Sequence, residues 1–170
     1  RGEYTTEKLI SMGMKVGKNF GRLNGVILDP SHCWLIEIGD NVTMAPRVHI
    51  LAHDASTKNF LNYTKIGRVT IGNNVFIGAE TVVMPGVTIG NNVVIGANST
   101  VTHDVPDNSV VAGSPAKVIC SLEEYLEKAS AFGKQMLFLG DGMPVHREKL
   151  MKLLGDAAVF AQPQLAFLRP

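Results

Sequence analysis

Residues 52–70 hold a dense set of groups able to do chemistry: His53, Asp54, Ser56, Thr57, Asn59, Asn62 and Tyr63. An imidazole beside a carboxylate can take a proton from a hydroxyl, because imidazole changes charge near neutrality. A lone histidine in a polar segment is more often simply solvated, so residue types alone leave both readings open. His49, four residues before His53, offers a second imidazole, read as structural or as part of a subunit contact. His32 and His103 read as surface residues.

Such groups need a rigid frame, and the chain after residue 70 supplies one. Six apolar residues stand six apart: Ile71, Ile77, Val83, Ile89, Ile95 and Val101. Turn residues follow several of them, as in Gly72-Asn73-Asn74, Gly78-Ala79, Gly90-Asn91-Asn92 and Gly96-Ala97-Asn98. The fifth residue of each unit is small or β-branched: Val75, Thr81, Val87, Val93, Ser99 and Val105. A period of six fits neither a helix nor the alternation of a single strand. It fits a short strand plus a turn, repeated, which is the signature of a parallel β-helix. Three such units make one triangular coil with the aliphatic residues inside, and coils stack at the inter-strand spacing of ~4.8 Å. Each coil buries its apolar residues only against its neighbours. The step continues upstream through Ile38, Met44 and Ile50, with a weaker unit at Val16–Phe20, and fails between Ile50 and Ile71. Residues 52–70 are therefore expected to form a loop pushed out of the stack, a common place for function on a rigid scaffold.

A chain of 170 residues suits one main core, and a net charge of +1 gives no reason to invoke nucleic acid or an anionic membrane surface. No apolar run is long enough to be an integral membrane segment, and no secretory signal is apparent. Cys33 and Cys120 are expected as free thiols in a cytoplasmic protein. Ser121-Leu122-Glu123-Glu124 has capping-box spacing and predicts a helix from about residue 122. A second helix is expected over Val145–Leu154, beyond Gly140, Gly142 and Pro144. The expected organisation is a β-solenoid over 1–120, with the loop 52–70, and a helical extension or cap over 121–170.

The run Ile71-Gly-Asn-Asn-Val-Phe-Ile-Gly-Ala, then Pro85-Gly86-Val87-Thr88-Ile89-Gly90, Ile95-Gly96-Ala97-Asn98-Ser99-Thr100-Val101-Thr102, Val105-Pro106 and Ala112-Gly113-Ser114-Pro115-Ala116-Lys117-Val118-Ile119 resembles the hexapeptide acyltransferases. The galactoside and maltose O-acetyltransferases and the acetyltransferases of surface-polysaccharide clusters are the most similar groups, over roughly residues 13–120. The resemblance implies an all-β, left-handed parallel β-helix, a hand opposite to the usual crossover rule. It implies a homotrimer with active sites between prisms, acetyl-CoA as acyl donor, no metal, and a sugar or polysaccharide precursor as acceptor. The family's catalytic histidine falls at His53, as general base on the acceptor hydroxyl; direct transfer then needs no cysteine or serine nucleophile. Phe76, Ala79, Ala97, Thr102, His103 and Lys117 match positions that face coenzyme A. His103 stands where the family usually has lysine, which shifts phosphate binding toward Lys117. Asp29 and Asn24 lie near acceptor-binding positions. Trp34, in the insertion Pro30–Trp34, is placed either to stack on a sugar or to pack at an interface.

Two other chemistries share this pattern. A zinc enzyme of the γ-carbonic anhydrase type needs three histidines meeting between subunits; His49 and His53 supply two, and no third follows in the next coil. N-acetyl transfer to an amino sugar uses the same donor. A non-catalytic scaffold would need neither the His53–Asp54 segment nor the Gly113–Lys117 ending.

Overall fold

Alternation within three-residue strands builds the prism. In Val75-Phe76-Ile77 the outer two residues are buried and the middle one faces out, a pattern that Ile36–Ile38, Val42–Met44, Val69–Ile71 and Val93–Ile95 share. The computed structural model describes residues 4–131 and two further strands at 136–138 and 158–160. The chain divides into two compact units, Arg1–Tyr125 and Leu126–Pro170.

The first unit is a left-handed parallel β-helix with three faces. The first face holds β1 (Lys15–Val16), β4 (Ile36–Ile38), β9 (Val69–Ile71) and β12 (Thr88–Ile89). The second holds β2 (Gly21–Arg22), β5 (Val42–Met44), β10 (Val75–Ile77), β13 (Val93–Ile95) and β15 (Ser109–Ala112), closed by the antiparallel β16 (Lys117–Ser121). The third holds β3 (Ile27–Leu28), β6 (His49–Ile50), β11 (Val82–Val83) and β14 (Thr100–Val101). Inside, the aliphatic residues stack in columns, among them Val16–Ile38–Ile71–Ile89 and Leu28–Ile50–Val83–Val101. The weak early unit at Val16 thus belongs to the stack.

The pairing also measures the insertions. A regular coil takes 18 residues, as Ile71 beneath Ile89 and Val83 beneath Val101 show. From Val16 to Ile38 the step is 22, and from Ile38 to Ile71 it is 33. One coil therefore carries four extra residues and the next carries fifteen.

Asparagine fixes one edge. Asn19, Asn41, Asn74, Asn92 and Asn108 all have φ near 55°, a left-handed conformation that asparagine tolerates better than most residues. Each amide donates to the next along the edge at 2.9–3.0 Å, from Asn19 to Asn41, Asn74, Asn92 and Asn108. Gly72 sits where two coils pass closely: a Cβ there would lie 2.7 Å from the Gly90 carbonyl oxygen.

The sequence reading did not foresee the N-terminal cap. Helix α1 (Thr6–Ser11) starts with Thr5 Oγ1 accepting from the Lys8 N–H at 3.2 Å and buries Leu9 in the core. At the other end, Ser121 Oγ accepts from the Glu124 N–H at 3.1 Å and opens a helix over Leu122–Ala131, as its capping spacing predicts. The short strands Met136–Phe138 and Ala158–Phe160 pair in parallel, which the sequence reading also lacked. The helix expected over 145–154 lies outside the described residues.

Candidate active site

Both insertions leave the prism at one edge, where the third face turns into the first. The shorter runs from Asp29 to Leu35 between β3 and β4, and the longer from Leu51 to Arg68 between β6 and β9. One coil further on, the same edge is only the turn Met84–Val87. Because β3 and β6 pair directly, the roots of the two excursions are neighbours. That adjacency, not proximity in sequence, brings Asp29 to His53.

The longer excursion is not a free loop. Strand β7 (His53–Asp54) pairs antiparallel with β8 (Lys65–Ile66), a short helix α2 (Lys58–Leu61) lies between them, and the Gly67 N–H donates to the Ala52 carbonyl at 3.0 Å. His53 therefore sits at a stapled root. The excursion ends at Arg68: Val69 and Thr70, assigned to the loop on sequence, belong to β9, and Val69 is fully buried.

Asp29 is 2% exposed. Its Oδ1 accepts from the Ser31 N–H at 3.0 Å, and its Oδ2 accepts from the Ala52 N–H at 3.0 Å and contacts His53 Nδ1. A carboxylate held by two backbone amides fixes the ring it bonds. Nδ1 donates to it, so the lone pair rests on Nε2. Asp54, the neighbour in sequence, is occupied elsewhere. Its Oδ1 accepts from the Ser56 N–H at 2.9 Å. That backbone bond first, then the Ser56 side chain and the charge of Lys65, hold its carboxyl below the usual range. A lowered carboxylate stabilises its turn above the ordinary pKa and releases it only as pH falls through the lowered value, so this turn stays closed at neutral pH.

The reading of His32 as a surface residue is corrected. His32 is partly buried, its ring 4.8 Å from that of His53 and 5.2 Å from that of Trp34. Its Nδ1 stands 4.0 Å from Asp29 Oδ2 and is enclosed without a hydrogen-bond partner. The contact spans a whole coil, so local pattern could not show it; the only signal was the insertion itself. Trp34 is half exposed at the outer end of this ring row. Asp29, His32 and His53 each offer one ligand atom, all within 4.8 Å of one another; His49 is not part of this group.

The remaining candidates lie elsewhere. Asn24 is exposed, accepts the Arg47 N–H on its carbonyl at 3.0 Å, and borders a shallow cleft with Tyr4, Arg22 and Leu23. Phe76 faces outward on β10, 45% exposed. Ala79 and Ala97 stack one coil apart on the edge between the second and third faces, where the Asn98 N–H donates to the Ala79 carbonyl at 2.7 Å. The turn after β15 continues that edge: Ser114 Oγ donates to Thr100 Oγ1 at 2.9 Å, and the Ala116 N–H donates to the Thr100 carbonyl at 2.8 Å. Lys117 follows, exposed, opposite Ala112. Thr102 and His103 lie instead on the edge of the excursions, two coils beyond β6, with Thr102 Oγ1 and His103 Nδ1 2.8 Å apart. The six candidates for the cofactor thus divide between the second face, which carries Phe76, and two edges of the prism.

A family model described as bacterial transferase hexapeptide (six repeats) matches residues 68–103. The chain is 43% identical over 130 residues to protein CapG of Staphylococcus aureus, covering 72% of this chain and 74% of that one. The crystal structure of a maltose O-acetyltransferase from Clostridium difficile 630 superposes with a TM-score of 0.58 at 42% identity, covering 64% of this chain and 59% of that one. A galactoside acetyltransferase in complex with coenzyme A superposes with a TM-score of 0.55 at 32% identity, covering 71% of each chain. The chain spans 51–64% of the length of several other curated relatives, most of them named as acetyltransferases.

Proposed function

The chain belongs to the hexapeptide-repeat acetyltransferases, and from that premise we propose that it moves acetyl from acetyl-CoA to a hydroxyl of a sugar or polysaccharide precursor, with His53 as general base. The Asp29–His53 pair carries this reading, because a buried carboxylate aims an imidazole whose second nitrogen is free. His53 Nε2 takes the proton of the acceptor hydroxyl as its oxygen attacks the thioester carbonyl. The tetrahedral oxyanion collapses, the C–S bond breaks, and the imidazolium returns the proton to the coenzyme A thiolate. The step itself uses no metal and no enzyme nucleophile. Trp34, beside His32, gives a pyranose an apolar surface within reach of His53. Asn24 serves as a second acceptor contact. The γ-carbonic anhydrase alternative is not favoured, since the relatives are acetyltransferases. Thiol release from acetyl-CoA, measured against a panel of sugars, nucleotide-sugars and lipid-linked glycans, tests the proposal. Release that no acceptor stimulates overturns it.

Phe76, Ala79, Ala97 and Thr102 are proposed to line the coenzyme A groove, with Lys117 and His103 toward its phosphates. A phosphate contact is screened by salt and does not touch the reacting carbonyl. Lys117→Ala is therefore expected to raise the Michaelis constant for acetyl-CoA with a smaller change in turnover, and the effect is expected to shrink as salt rises. His103→Lys is expected to lower the same constant. An unchanged constant in Lys117→Ala at low ionic strength places the phosphates elsewhere.

The working form is proposed to be a homotrimer, with each groove completed by a neighbour's wall. The long excursion supports this: Phe60 is 87% exposed, and Leu61, Tyr63 and Ile66 are exposed beside it, an apolar cluster suited to burial against another chain. Light scattering is expected to give three chains per particle, and an active monomer contradicts it. The protein is proposed to act in the cytoplasm, where the free thiols of Cys33 and Cys120 persist. No helix among the described residues is long and apolar enough to cross a membrane.

A further inference from the structure

We propose that Asp29, His32 and His53 form a binding site for a transition-metal dication of the zinc class, and that the bound ion switches acetyl transfer off. The switch rests on the general-base reading above; the binding does not. Two imidazoles and one carboxylate are a donor set that zinc and its neighbours take readily, while magnesium and calcium prefer all-oxygen shells. The three donors are gathered already. His53 Nδ1 touches Asp29 Oδ2, His32 Nδ1 stands 4.0 Å from the same oxygen, and all three lie within 4.8 Å.

His32 points most directly to a ligand. Among the described residues, its Nδ1 is the one enclosed side-chain nitrogen or oxygen without a hydrogen-bond partner. An enclosed polar atom left unpaired costs free energy, and donating its lone pair to a cation removes that cost. Asp29 is held by the Ser31 and Ala52 amides, the kind of outer support that orients a metal-binding carboxylate.

Binding moves a proton within His53. The ion takes the Nδ1 lone pair, Asp29 Oδ2 and His32 Nδ1, and the ring proton passes through solvent from Nδ1 to Nε2, which can then no longer accept the proton of the acceptor hydroxyl. The hydrogen bond that aimed His53 Nε2 at the acceptor is then gone. The rings of His32 and His53 remain partly exposed, so a solvated ion can enter and leave.

The test uses the full chain stripped by chelator, with Co2+ as a spectroscopic probe, Zn2+ as inhibitor and Mg2+ as control. Co2+ is expected to bind with intensified visible absorption. Zn2+ is expected to displace it and abolish transfer over the same concentration range, and Mg2+ to do neither. His32→Phe is expected to raise the Zn2+ concentration needed for both effects by at least about tenfold. His32→Cys, which restores a donor, is expected to bind within a few-fold of the parent, separating loss of a ligand from loss of folding. Absence of the Co2+ absorption in the parent overturns the proposal, as does His32→Phe binding as tightly as the parent. Zn2+ binding that tracks His32 without inhibiting transfer upholds the site and overturns both the switch and the general-base assignment on which it rests.

Discussion

His53→Ala is expected to lower acetyl transfer by about 10²–10⁴-fold, the range for loss of a general base, with little change in melting temperature. The side chain sits at the root of the excursion, on β7, outside the strands that repeat along the prism. Asp29→Asn sharpens the prediction. An asparagine amide turned toward His53 donates where the carboxylate accepted, so Nδ1 must accept and the proton moves to Nε2. The base is then present in the wrong tautomer, and a comparable loss is expected. One of the two amides from Ser31 and Ala52 also loses its acceptor, at a stability cost of about 1–3 kcal/mol. Steady-state rates with calorimetric melting separate the two effects. If either variant retains most of its turnover, the Asp29–His53 pair is not the base.

Ile89→Asp is expected to unfold the solenoid. Ile89 is 1% exposed, pairs with Ile71 below and bridges Val105 above. A carboxylate at that position has no partner in a column of aliphatic residues, and it must either charge without solvation or take up a proton. The expected loss exceeds about 5 kcal/mol, at the extreme of single substitutions. Asn91→Asp, two residues on, provides the control. Its Oδ1 accepts from the Asn73 N–H at 2.8 Å, which aspartate preserves, as Asp40 and Asp107 do elsewhere on this edge. The new charge meets Asp107, where Asn91 Nδ2 now lies 3.5 Å from Oδ1, so a penalty of about 1 kcal/mol or less is expected. Thermal melting of the two variants decides whether the columns are as described.

The columns were legible because burial repeats at a fixed step: Ile71, Ile77 and Val83 each recur 18 residues on. The upstream units were legible for the same reason. The partner of His53 was harder to assign. Sequence adjacency favoured Asp54, and the structure gives the contact to Asp29, because pairing of β3 with β6 outranks nearness along the chain. His32 was misjudged for the same cause, since nothing local distinguishes a histidine in a turn from one folded against the next coil. The N-terminal cap escaped notice because α1 is six residues long and buries only Leu9, too short to show a periodic face.

The two excursions leave a common edge while the columns inside keep their register. Lengthening a loop adds closure entropy only logarithmically, and neither segment contributes to the repeating strands. The edge is in effect a grafting point, where residues 30–34 and 55–64 can be exchanged for segments of other length and chemistry while the rungs stay in place. Evolution can thus exchange cassettes on one side of the prism while the stacked coils that carry them are inherited intact.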